Sequence, residues 1–584
     1  MKKIKVSVLS SLVLAALLLT SCGGINTMVK MANQVQYSVN PSPLEMHGDS
    51  VSATLKVSFP TKFFQKKATL TITPVFKYDG GEVAFETLTL QGEDVQANNK
   101  VISYTSGGSA EITSKVAFVE GMRQGTLVAR VKASQGDKSA ELPEQKLADG
   151  TMATVLLLAN DAKPIAASDK YVRVTTESKG AAIHFVINKA NLRSKELNKE
   201  EMKALKEFVK ESASKENVEF KGVEISAYAS PDGPEKLNTK LSEKRMTTTE
   251  KYFARELKKS KVKDADKEGF VLAKATPEDW DGFKKLMQES DIQDKELILR
   301  VLSMYSDPVV REKEIKNISA AYEVIAEEIL PQLRRSKLTV NIAIIGYSDE
   351  ELKDLAVSNP DTLKVEELMY AATLFTDLNT KLSVYQKVVS NFSDDWRGHN
   401  NVGYVYLKQG KVAEAKAAFE EAKKLVPSNT TVMNNLGVCA FMEGDLKAAK
   451  EFYAAAAGAG KEVSYNQALI CTKKGNYEKA LNLFASSKFN TFNFALAKML
   501  NYSNTKNADV FDAALGILSK VEDQDAANVY YLKAILGARK QDKDLLLNNL
   551  RTAVEKDASY KEYAKKDIEF AQYKDDAGYK GIVE

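Results

Sequence analysis

The sequence predicts a multidomain protein with an N-terminal β-sandwich, a central α/β domain that carries a helical insertion, and a C-terminal all-α solenoid. Hydrophobic residues alternate with the two-residue period of strands from about 50 to 175. Strand and helix patterns then mix from about 181 to 346, and helical patterns that repeat at a fixed spacing follow from about 365 to 575. The 584 residues have room for about three or four domains of ordinary size.

The N-terminus has the order of an export signal. Lysines occupy three of the first five positions, an uncharged apolar run extends from residue 6 to residue 19, and Leu19-Thr20-Ser21-Cys22 follows. A membrane-spanning helix needs about 20 apolar residues, and this run is shorter. We therefore expect residues 1–21 to be removed as a signal peptide. Residues 19–22 resemble the lipobox of bacterial lipoproteins, which implies that Cys22 is lipidated and that residues 22–45 form a tether.

The residues after Cys22 bear on the destination of the protein. Gly23 and Gly24 bring no acidic cluster. By resemblance, lipoproteins that are sent to the cell exterior in some bacteria carry acidic residues there. The sequence therefore favours the periplasmic face of the outer membrane, with the lipid as the link to the membrane. The alternative is an ordinary secretory signal with a chance cysteine.

Composition argues against some classes of protein. The 82 basic and 78 acidic residues leave a net charge of +4. This balance does not indicate a protein that binds polyanions, so it argues against nucleic acid as a partner. Besides Cys22, the chain has Cys439 and Cys471, which lie in apolar helical patterns where cysteine is usually a small buried hydrophobe. No disulfide framework is expected.

Region 46–175 is predicted as the β-sandwich. Three segments alternate apolar and polar residues, 52–59, 68–76 and 125–132. Turn signals separate them at 79–81, 98–99 and 106–108. Short strands separated by turns favour a sandwich, whose expected role is that of a spacer or a docking platform.

The central region, 176–346, mixes strands and helices. Strand patterns occur at 182–187, 223–227 and 338–345. A helix is expected after Asn198, which is the expected cap because Glu201 follows three residues on, and a second helix is expected over about 239–258. Thr276 is the expected cap of a later helix, with a proline at its first position. Residues from about 260 to 335 are predicted as a helical insertion.

One motif in this region is sharp. The run Tyr228–Asn238 leads from a predicted strand into a loop, and Asn238, Leu241, Ser242 and Arg245 then follow the spacing Asn-x-x-Leu-Ser-x-x-Arg. The motif resembles the OmpA-like peptidoglycan-binding domain, in which a strand ends in a loop and this run opens the next helix. The resemblance covers residues 176–346, insertion included.

The resemblance implies a ligand, the zwitterionic diaminopimelate of the cell-wall peptide. By position, Arg245 would hold the carboxylate of that ligand in a two-pronged pair, and Asn238 would order the loop. The loop aspartate of the family, which holds the ammonium group, falls on Ser230 in this chain, and Asp232 is the candidate replacement. The alternative is a domain that keeps the fold and has lost the ligand.

The last third of the chain is self-similar. Small residues recur at a spacing of 34, where Gly403, Gly410, Ala415 and Ala422 return as Gly437, Gly444, Ala449 and Ala456, and a third copy at a spacing of 31 gives Ala468, Gly475 and Ala480. The pattern resembles tetratricopeptide (TPR) repeats, in which small residues let paired helices approach closely. Residues 365–575 are therefore expected to form about four to six helical hairpins, with an early degenerate one over 370–389.

Asparagines occupy equivalent places on the first helix of three repeats: Asn400, Asn401, Asn434, Asn435 and Asn466. In TPR domains that helix lines the binding groove. One carboxamide both donates and accepts hydrogen bonds, so a ladder of them suits the backbone of an extended peptide. The alternative is that these side chains bond neighbouring hairpins and stabilise the stack. The expected partners are proteins or peptides of the cell envelope.

Catalysis is not expected. The three histidines, His47, His184 and His399, fall in three different predicted domains, which leaves no histidine cluster for a metal and no catalytic triad. A phosphate-binding loop and a dinucleotide fingerprint are both missing from the sequence. The sequence predicts no enzyme activity, no metal and no cofactor.

Together these features predict a membrane-anchored scaffold or adaptor lipoprotein. It would bind proteins through the TPR region and peptidoglycan through the central domain, with tethering at Cys22 raising the effective concentration of both. The first alternative is an accessory factor for the assembly or secretion of surface structures, in which the central domain binds no wall. The second is an envelope hydrolase with paired carboxylates, since acidic residues are plentiful.

Overall fold

The computed structural model describes residues 24–317 and 319–584. These residues form two compact units, one of residues 24–167 with 392–584 and one of residues 168–391. The predicted signal peptide and Cys22 lie outside the described residues. Within the described ranges, none of the helices combines the length and the apolar character that crossing a membrane requires.

The first unit begins with helix α1 (Ile25–Lys30) and a set of strands. The strands are β1 (Gln36–Asn40), β2 (Leu44–His47), β3 (Ser50–Phe59), β4 (Thr69–Tyr78), β5 (Gly81–Ala84), β6 (Leu88–Gln91), β7 (Lys100–Val101), β8 (Gly108–Ala117), β9 (Gly125–Gln135), β10 (Lys138–Asp149) and β11 (Thr151–Met152). One sheet has the order β1-β3-β2-β11, with β8 also paired to β3. The other has the order β10-β9-β4-β6-β7, with β5 also paired to β4.

Alternating burial joins the two sheets through one core. Leu55 and Val57 from β3 pack in the same apolar cluster as Ile72 from β4 and Val131 from β9. The predicted β-rich N-terminal region is therefore confirmed, and its strands lie where the two-residue period placed them. The strands of this unit end at Met152, however, earlier than the predicted boundary at 175.

The second unit contains a sheet and two groups of helices. In chain order its elements are β12 (Val174–His184), α2 (Ser194–Leu197), α3 (Glu200–Ala213), β13 (Val218–Tyr228), α4 (Glu235–Lys259), β14 (Val271–Thr276), α5 (Trp280–Glu289), α6 (Lys295–Met304), α7 (Pro308–Asn317), α8 (Ser319–Val324), α9 (Leu330–Leu333), β15 (Arg335–Ile345), α10 (Asp349–Ser358), α11 (Val365–Thr373) and α12 (Leu378–Asn391). The sheet order is β12-β15-β13-β14.

Helices α3 and α4 cover this sheet. Leu205 from α3 and Phe253 from α4 share an apolar cluster with Ile183 and Ile225 of the strands. Helices α5 to α9 enclose a separate cluster around Phe283. The mixed pattern of strands and helices in the sequence thus corresponds to one sheet with helices on it and a helical group beside it.

Two predicted helix starts in this unit were wrong. Asn198 closes α2, and the residue before α3 is Lys199, which makes no side-chain cap bond. Thr276 is the last residue of β14, which pairs in parallel with β13, and it caps no helix. The cap of α5 is Asp279, whose Oδ1 accepts the N–H of Gly282 at 3.0 Å. The predicted helical insertion therefore begins with a strand.

The chain returns to the first unit as a series of helices. They are α13 (Trp396–Lys408), α14 (Val412–Leu425), α15 (Thr430–Met442), α16 (Leu446–Ala455), α17 (Lys461–Lys473), α18 (Tyr477–Ser487), α19 (Phe492–Leu500), α20 (Tyr502–Thr505), α21 (Asp509–Leu518), α22 (Ala527–Lys540), α23 (Lys543–Lys556), α24 (Ser559–Lys566) and α25 (Ala577–Val583). The helices extend to Val583, beyond the predicted end at 575, and the early hairpin α11–α12 groups with the second unit.

Small residues set the spacing within these hairpins. A Cβ atom on Gly437 would lie 2.6 Å from the ring of Tyr453, and one on Gly403 would lie 2.6 Å from the ring of Phe419. Each glycine therefore lets the aromatic ring of the second helix lie against the backbone of the first. This close approach explains why the same residue types return at a fixed spacing.

The strands and helices of the first unit share a core. Leu44 of β2 and Phe76 of β4 belong to one apolar cluster with Tyr477, Phe492 and Tyr531 of the helices. The β-rich region and the helical repeats were predicted as separate domains, but here they bury side chains against each other.

Candidate functional site

An extended segment of the chain itself lies against the repeat helices. Residues 158–167, which we call the groove segment, connect the β-rich region to the second unit and have no helix or strand. The segment contacts the first helices of four successive hairpins, α13, α15, α17 and α19, through asparagine side chains. We call the surface formed by these helices the groove.

Two residues of the groove segment are each held at both backbone groups by one asparagine. The N–H of Ile165 donates to Oδ1 of Asn435 at 2.7 Å, and Nδ2 of Asn435 donates to the carbonyl of Ile165 at 2.7 Å. Asn401 holds Ala167 in the same way, at 2.7 Å and 3.1 Å. Each carboxamide thus pairs with the N–H and the carbonyl of one residue, as the opposite residue of an antiparallel strand would.

The same pairing continues towards the later repeats. Asn466 accepts the N–H of Lys163 at 2.7 Å and donates to its carbonyl at 2.9 Å. Asn493 accepts the N–H of Ala159 at 2.8 Å and donates to its carbonyl at 2.9 Å. The groove segment therefore runs opposite to the order of the repeats. We call these four asparagines, Asn401, Asn435, Asn466 and Asn493, the asparagine ladder.

The asparagines also bond one another across the hairpins. Nδ2 of Asn435 donates to Oδ1 of Asn400 at 2.9 Å, and Nδ2 of Asn466 donates to Oδ1 of Asn434 at 3.0 Å. Asn400 and Asn434 add bonds to the segment, donating to the carbonyls of Ile165 at 3.2 Å and of Lys163 at 3.1 Å. These asparagines thus hold the extended backbone of the chain's own segment and join neighbouring hairpins, and the binding of a separate peptide stays a prediction.

Sequence reasoning missed one rung of the ladder and its occupant. Asn493 follows Asn466 by fewer residues than the repeat period, so the fixed spacing of the repeats does not predict it. The feature that could have indicated Asn493 is its place in the first turn of an apolar helix. Thr491 caps that helix, α19, by accepting the N–H of Phe494. All six asparagines are buried beneath the groove segment and are at most 1 % exposed.

Side chains of the groove segment make a few specific contacts. The hydroxyl of Tyr465 donates to the carboxylate of Asp161 at 2.7 Å, and the ammonium of Lys163 lies 4.7 Å from the centre of the Tyr465 ring. Burial, followed by the charge of Asp161, raises the pKa of Tyr465 well above its usual value, so the phenol remains a donor. Pro164 lies between two bonded positions, where the ladder needs no N–H.

The motif of residues 228–245, for which the sequence suggested a resemblance, lies where β13 ends and α4 begins. The hydroxyl of Ser230 donates to the carboxylate of Asp232, and Arg334 forms an ion pair with Asp232 at 3.1 Å. Nδ2 of Asn238 donates to the carbonyl of Gly233 at 3.3 Å, which closes the loop onto the first turn of the helix. The four candidate residues thus surround one loop, and the carboxylate of Asp232 is already paired with a cation.

Arg245 lies beneath this loop and is 0 % exposed. Its guanidinium donates to three backbone carbonyls, those of Lys189 at 3.1 Å, Tyr228 at 2.8 Å and Val186 at 3.3 Å. Burial, followed by the nearby charge of Arg334, lowers the pKa of Arg245 to about 10. The guanidinium therefore fastens β13 to the chain that follows β12, whereas the resemblance implies a group that faces a carboxylate ligand.

The histidines are dispersed in the structure. Nδ1 of His47 lies 3.1 Å from the hydroxyl of Tyr477, and Nδ1 of His184 lies 3.5 Å from the carboxylate of Glu196. Across residues 24–317 and 319–584, no group of three or more histidine, cysteine, aspartate or glutamate side chains is arranged to hold a metal ion.

Comparisons with known proteins identify the helical repeats. Residues 401–462 match the family model of the tetratricopeptide repeat, so the C-terminal region contains TPR repeats, as the sequence predicted. No curated protein sequence matches the chain significantly.

Several solved structures match part of this chain. A chain of the APC/C hetero-tetramer Cut9-Hcn1 is 15% identical, over 41% of this chain and 46% of that chain, with a TM-score of 0.32. A tetratricopeptide repeat protein from Parabacteroides merdae is 15% identical, over 38% of this chain and 91% of that chain, with a TM-score of 0.30. PilF of Pseudomonas aeruginosa is 15% identical, over 40% of this chain and 97% of that chain, with a TM-score of 0.27. The match thus spans less than half of the Cut9-Hcn1 chain.

Proposed function

We propose that this protein is a non-catalytic scaffold of the bacterial cell envelope that holds other proteins through its TPR region. The observation that carries the proposal is the asparagine ladder, which grips the main chain of an extended polypeptide through paired hydrogen bonds. A surface built in this way suits the binding of a second chain without any chemical step.

The scaffold would be tied to a membrane by lipid on Cys22, on the periplasmic face of the outer membrane. Support comes from the order of charge, apolar run and cysteine in the sequence. Several acyl chains together anchor a protein firmly, since each buried methylene contributes about 0.8 kcal/mol. Partners held beside one surface meet at a raised effective concentration, so weak contacts add.

Metabolic labelling tests the anchor. Cells that express the full chain and receive an alkyne analogue of palmitate should yield labelled protein, and Cys22→Ser should remove the label. Cys471→Ser, which changes a half-buried cysteine of α17, is the matched control and should keep it. A wild-type protein without label, or with label that persists in Cys22→Ser, would contradict the anchor.

Partner capture tests the scaffold. The tagged full chain, cross-linked in cells and purified, should retain a reproducible set of envelope proteins that an unrelated tagged lipoprotein of the same membrane does not retain. The set should shrink in Cys22→Ser, because a protein released from the surface loses the gain in effective concentration. Recovery of the chain alone would contradict a scaffold.

Peptidoglycan binding is a second candidate function. The observation that favours peptidoglycan binding is that the four candidate residues surround one loop: Ser230, Asp232, Asn238 and Arg245. Purified protein should then sediment with cell-wall sacculi, and Asp232→Asn should weaken this, whereas Arg255→Ala on the exposed face of α4 should not. A wild-type protein that stays in the supernatant removes this candidate.

The contacts of Arg245 favour the alternative in which the central domain does not bind the cell wall. The protein would then be a scaffold, or an accessory factor for the assembly or secretion of surface structures, that binds only other proteins. Its guanidinium is occupied by backbone carbonyls, and Asp232 is paired with Arg334. The sedimentation experiment separates the two, because the alternative predicts neither wild type nor variants in the pellet.

A further inference from the structure

We propose that the groove is a receptor for an extended segment of a partner protein, and that residues 158–167 are a tethered self-ligand which this partner displaces. The proposal rests on the proposed scaffold function and names the kind of partner. Four residues of the chain occupy the groove through their backbone groups, so the place that a partner would take is already defined by a bound peptide.

The groove binds its occupant mainly through backbone groups. The asparagine ladder bonds N–H and carbonyl groups at positions 159, 163, 165 and 167, and any residue except proline supplies the same pair of groups there. A peptide from another protein with an extended backbone therefore finds the same bonds. Such exchange replaces one set of hydrogen bonds by an equal set and costs little by itself.

Four of the ten residues of the groove segment are alanines. Ala167 is its one fully buried residue, and Leu158, Ala162 and Ile165 are partly buried against the helices. An alanine side chain contributes little hydrophobic stabilisation even when it is buried, since that term scales with buried apolar area. A partner segment with larger apolar residues at the inward positions gains stabilisation that the self-ligand lacks.

Side-chain contacts define the chemistry of the partner. Asp161 accepts from the hydroxyl of Tyr465 and from Nδ2 of Asn493, each at 2.7 Å. Lys163 lies over the rings of Tyr465 at 4.7 Å and Phe489 at 5.4 Å. The groove therefore favours an extended peptide in which an acidic residue precedes a basic one by two positions, with small or apolar residues beyond.

Tethering explains how the groove stays closed without a partner. The segment is joined to folded structure on both sides, so its local concentration at the groove is of the order of millimolar. A partner competes with that concentration, and its apparent affinity is the intrinsic affinity multiplied by the fraction of time that the groove is free. Release of the self-ligand should therefore reveal a much tighter site.

A labelled peptide with the sequence of residues 157–169 is the probe. Its binding to the detergent-solubilised full chain is measured by fluorescence anisotropy. Ile165→Pro with Ala167→Pro removes two N–H donors of the segment and should tighten peptide binding by at least about tenfold over wild type. Ala166→Pro, between those positions, is the matched control and should bind as wild type does. Adding Asn435→Ala and Asn466→Ala to the released variant should abolish binding.

The outcomes separate the proposal from its rivals. A released variant that keeps its melting temperature within a few degrees and binds no more peptide than wild type overturns the self-ligand. If that variant does not fold, amide hydrogen exchange of the wild-type protein is measured with and without excess unlabelled peptide to test displacement. Faster exchange at residues 159–167 supports displacement, and unchanged exchange overturns it. If partner capture is equal for wild type and for Asn435→Ala with Asn466→Ala, the scaffold stands and the groove proposal falls.

Discussion

Replacing Asn435 with alanine tests how firmly the ladder holds the groove segment. The side chain is 0 % exposed, accepts from the N–H of Ile165 at 2.7 Å and from Nδ2 of Asn434 at 3.1 Å, and donates to the carbonyl of Ile165 at 2.7 Å and to Asn400 at 2.9 Å. The variant removes all four bonds. The carbonyl of Ile165 keeps its bond from Asn400, whereas the N–H of Ile165 loses its partner.

The size of the effect follows from that loss. A buried polar group without a partner costs about 1–3 kcal/mol, and water that enters the vacated space lowers the cost. We therefore expect Asn435→Ala to lower the free energy for local opening of the groove segment by about 2 kcal/mol, which corresponds to roughly 30-fold faster exchange of its amides.

Hydrogen exchange followed by mass spectrometry measures this directly. Peptides that cover residues 158–167 should exchange roughly 30-fold faster in Asn435→Ala than in wild type at the same pH. Asn482→Ala removes an exposed asparagine of α18 and is the matched control, with no expected change in the segment. If Asn435→Ala folds and the segment exchanges at the wild-type rate, the ladder does not hold the segment and the reasoning fails.

Two further predictions concern the stability of the first unit. Gly437→Ala should lower the free energy of unfolding by about 1–3 kcal/mol, because its Cβ would lie 2.6 Å from the Tyr453 ring, whereas Gly516→Ala in α21 meets no atom within 4 Å and should raise it by up to about 1 kcal/mol. Denaturant titration of both variants measures the difference, and equal midpoints would contradict it. Burial raises the pKa of Asp567 to about 6, so its folded state binds the proton more tightly than the unfolded state does. This contribution to stability is therefore lost as pH rises through about 6, and Asp567→Asn should flatten that part of the pH profile of the unfolding midpoint, whereas parallel profiles would contradict the assignment.

The helical repeats were the part of the fold most open to prediction. Gly403 and Gly437 recur because an aromatic ring of the paired helix occupies the space that a Cβ would need. A steric requirement of this kind leaves the same residue type at the same spacing in each repeat, so periodicity in the sequence reports it. The asparagines of the groove could be predicted for the same reason, apart from Asn493, whose repeat has lost the period.

The occupant of the groove left no comparable signal. The ladder contacts backbone groups, which every residue except proline has, so a ladder contact sets no other requirement on the identity of the bonded residue. The bonded partners also lie far apart in the sequence, as Ala159 and Asn493 do. Strand β14 was missed because its pairing with β13 is a long-range contact, and Thr276 has the same identity whether it ends a strand or caps a helix.

Arg245 illustrates a different limit. Its spacing from Asn238 matched a family motif, and the spacing places both residues at one loop. A spacing does not say which acceptors the guanidinium reaches, and here three backbone carbonyls take its bonds. The position was thus predictable, whereas the direction of its hydrogen bonds depends on the chain after β12, which the motif does not include.

The hydrogen-bond capacity of Asn435 links the two roles of the ladder. A carboxamide has two N–H groups and one oxygen with two lone pairs, and Asn435 uses all four. Two bonds go to Ile165 of the groove segment, and two go to Asn400 and Asn434. An occupant of the groove therefore completes the bonding of the side chains that join adjacent hairpins. Binding in the groove and cohesion of the repeats are coupled through the same atoms, so a partner that replaced the self-ligand would have to supply backbone groups at the same positions to leave the repeats equally firm.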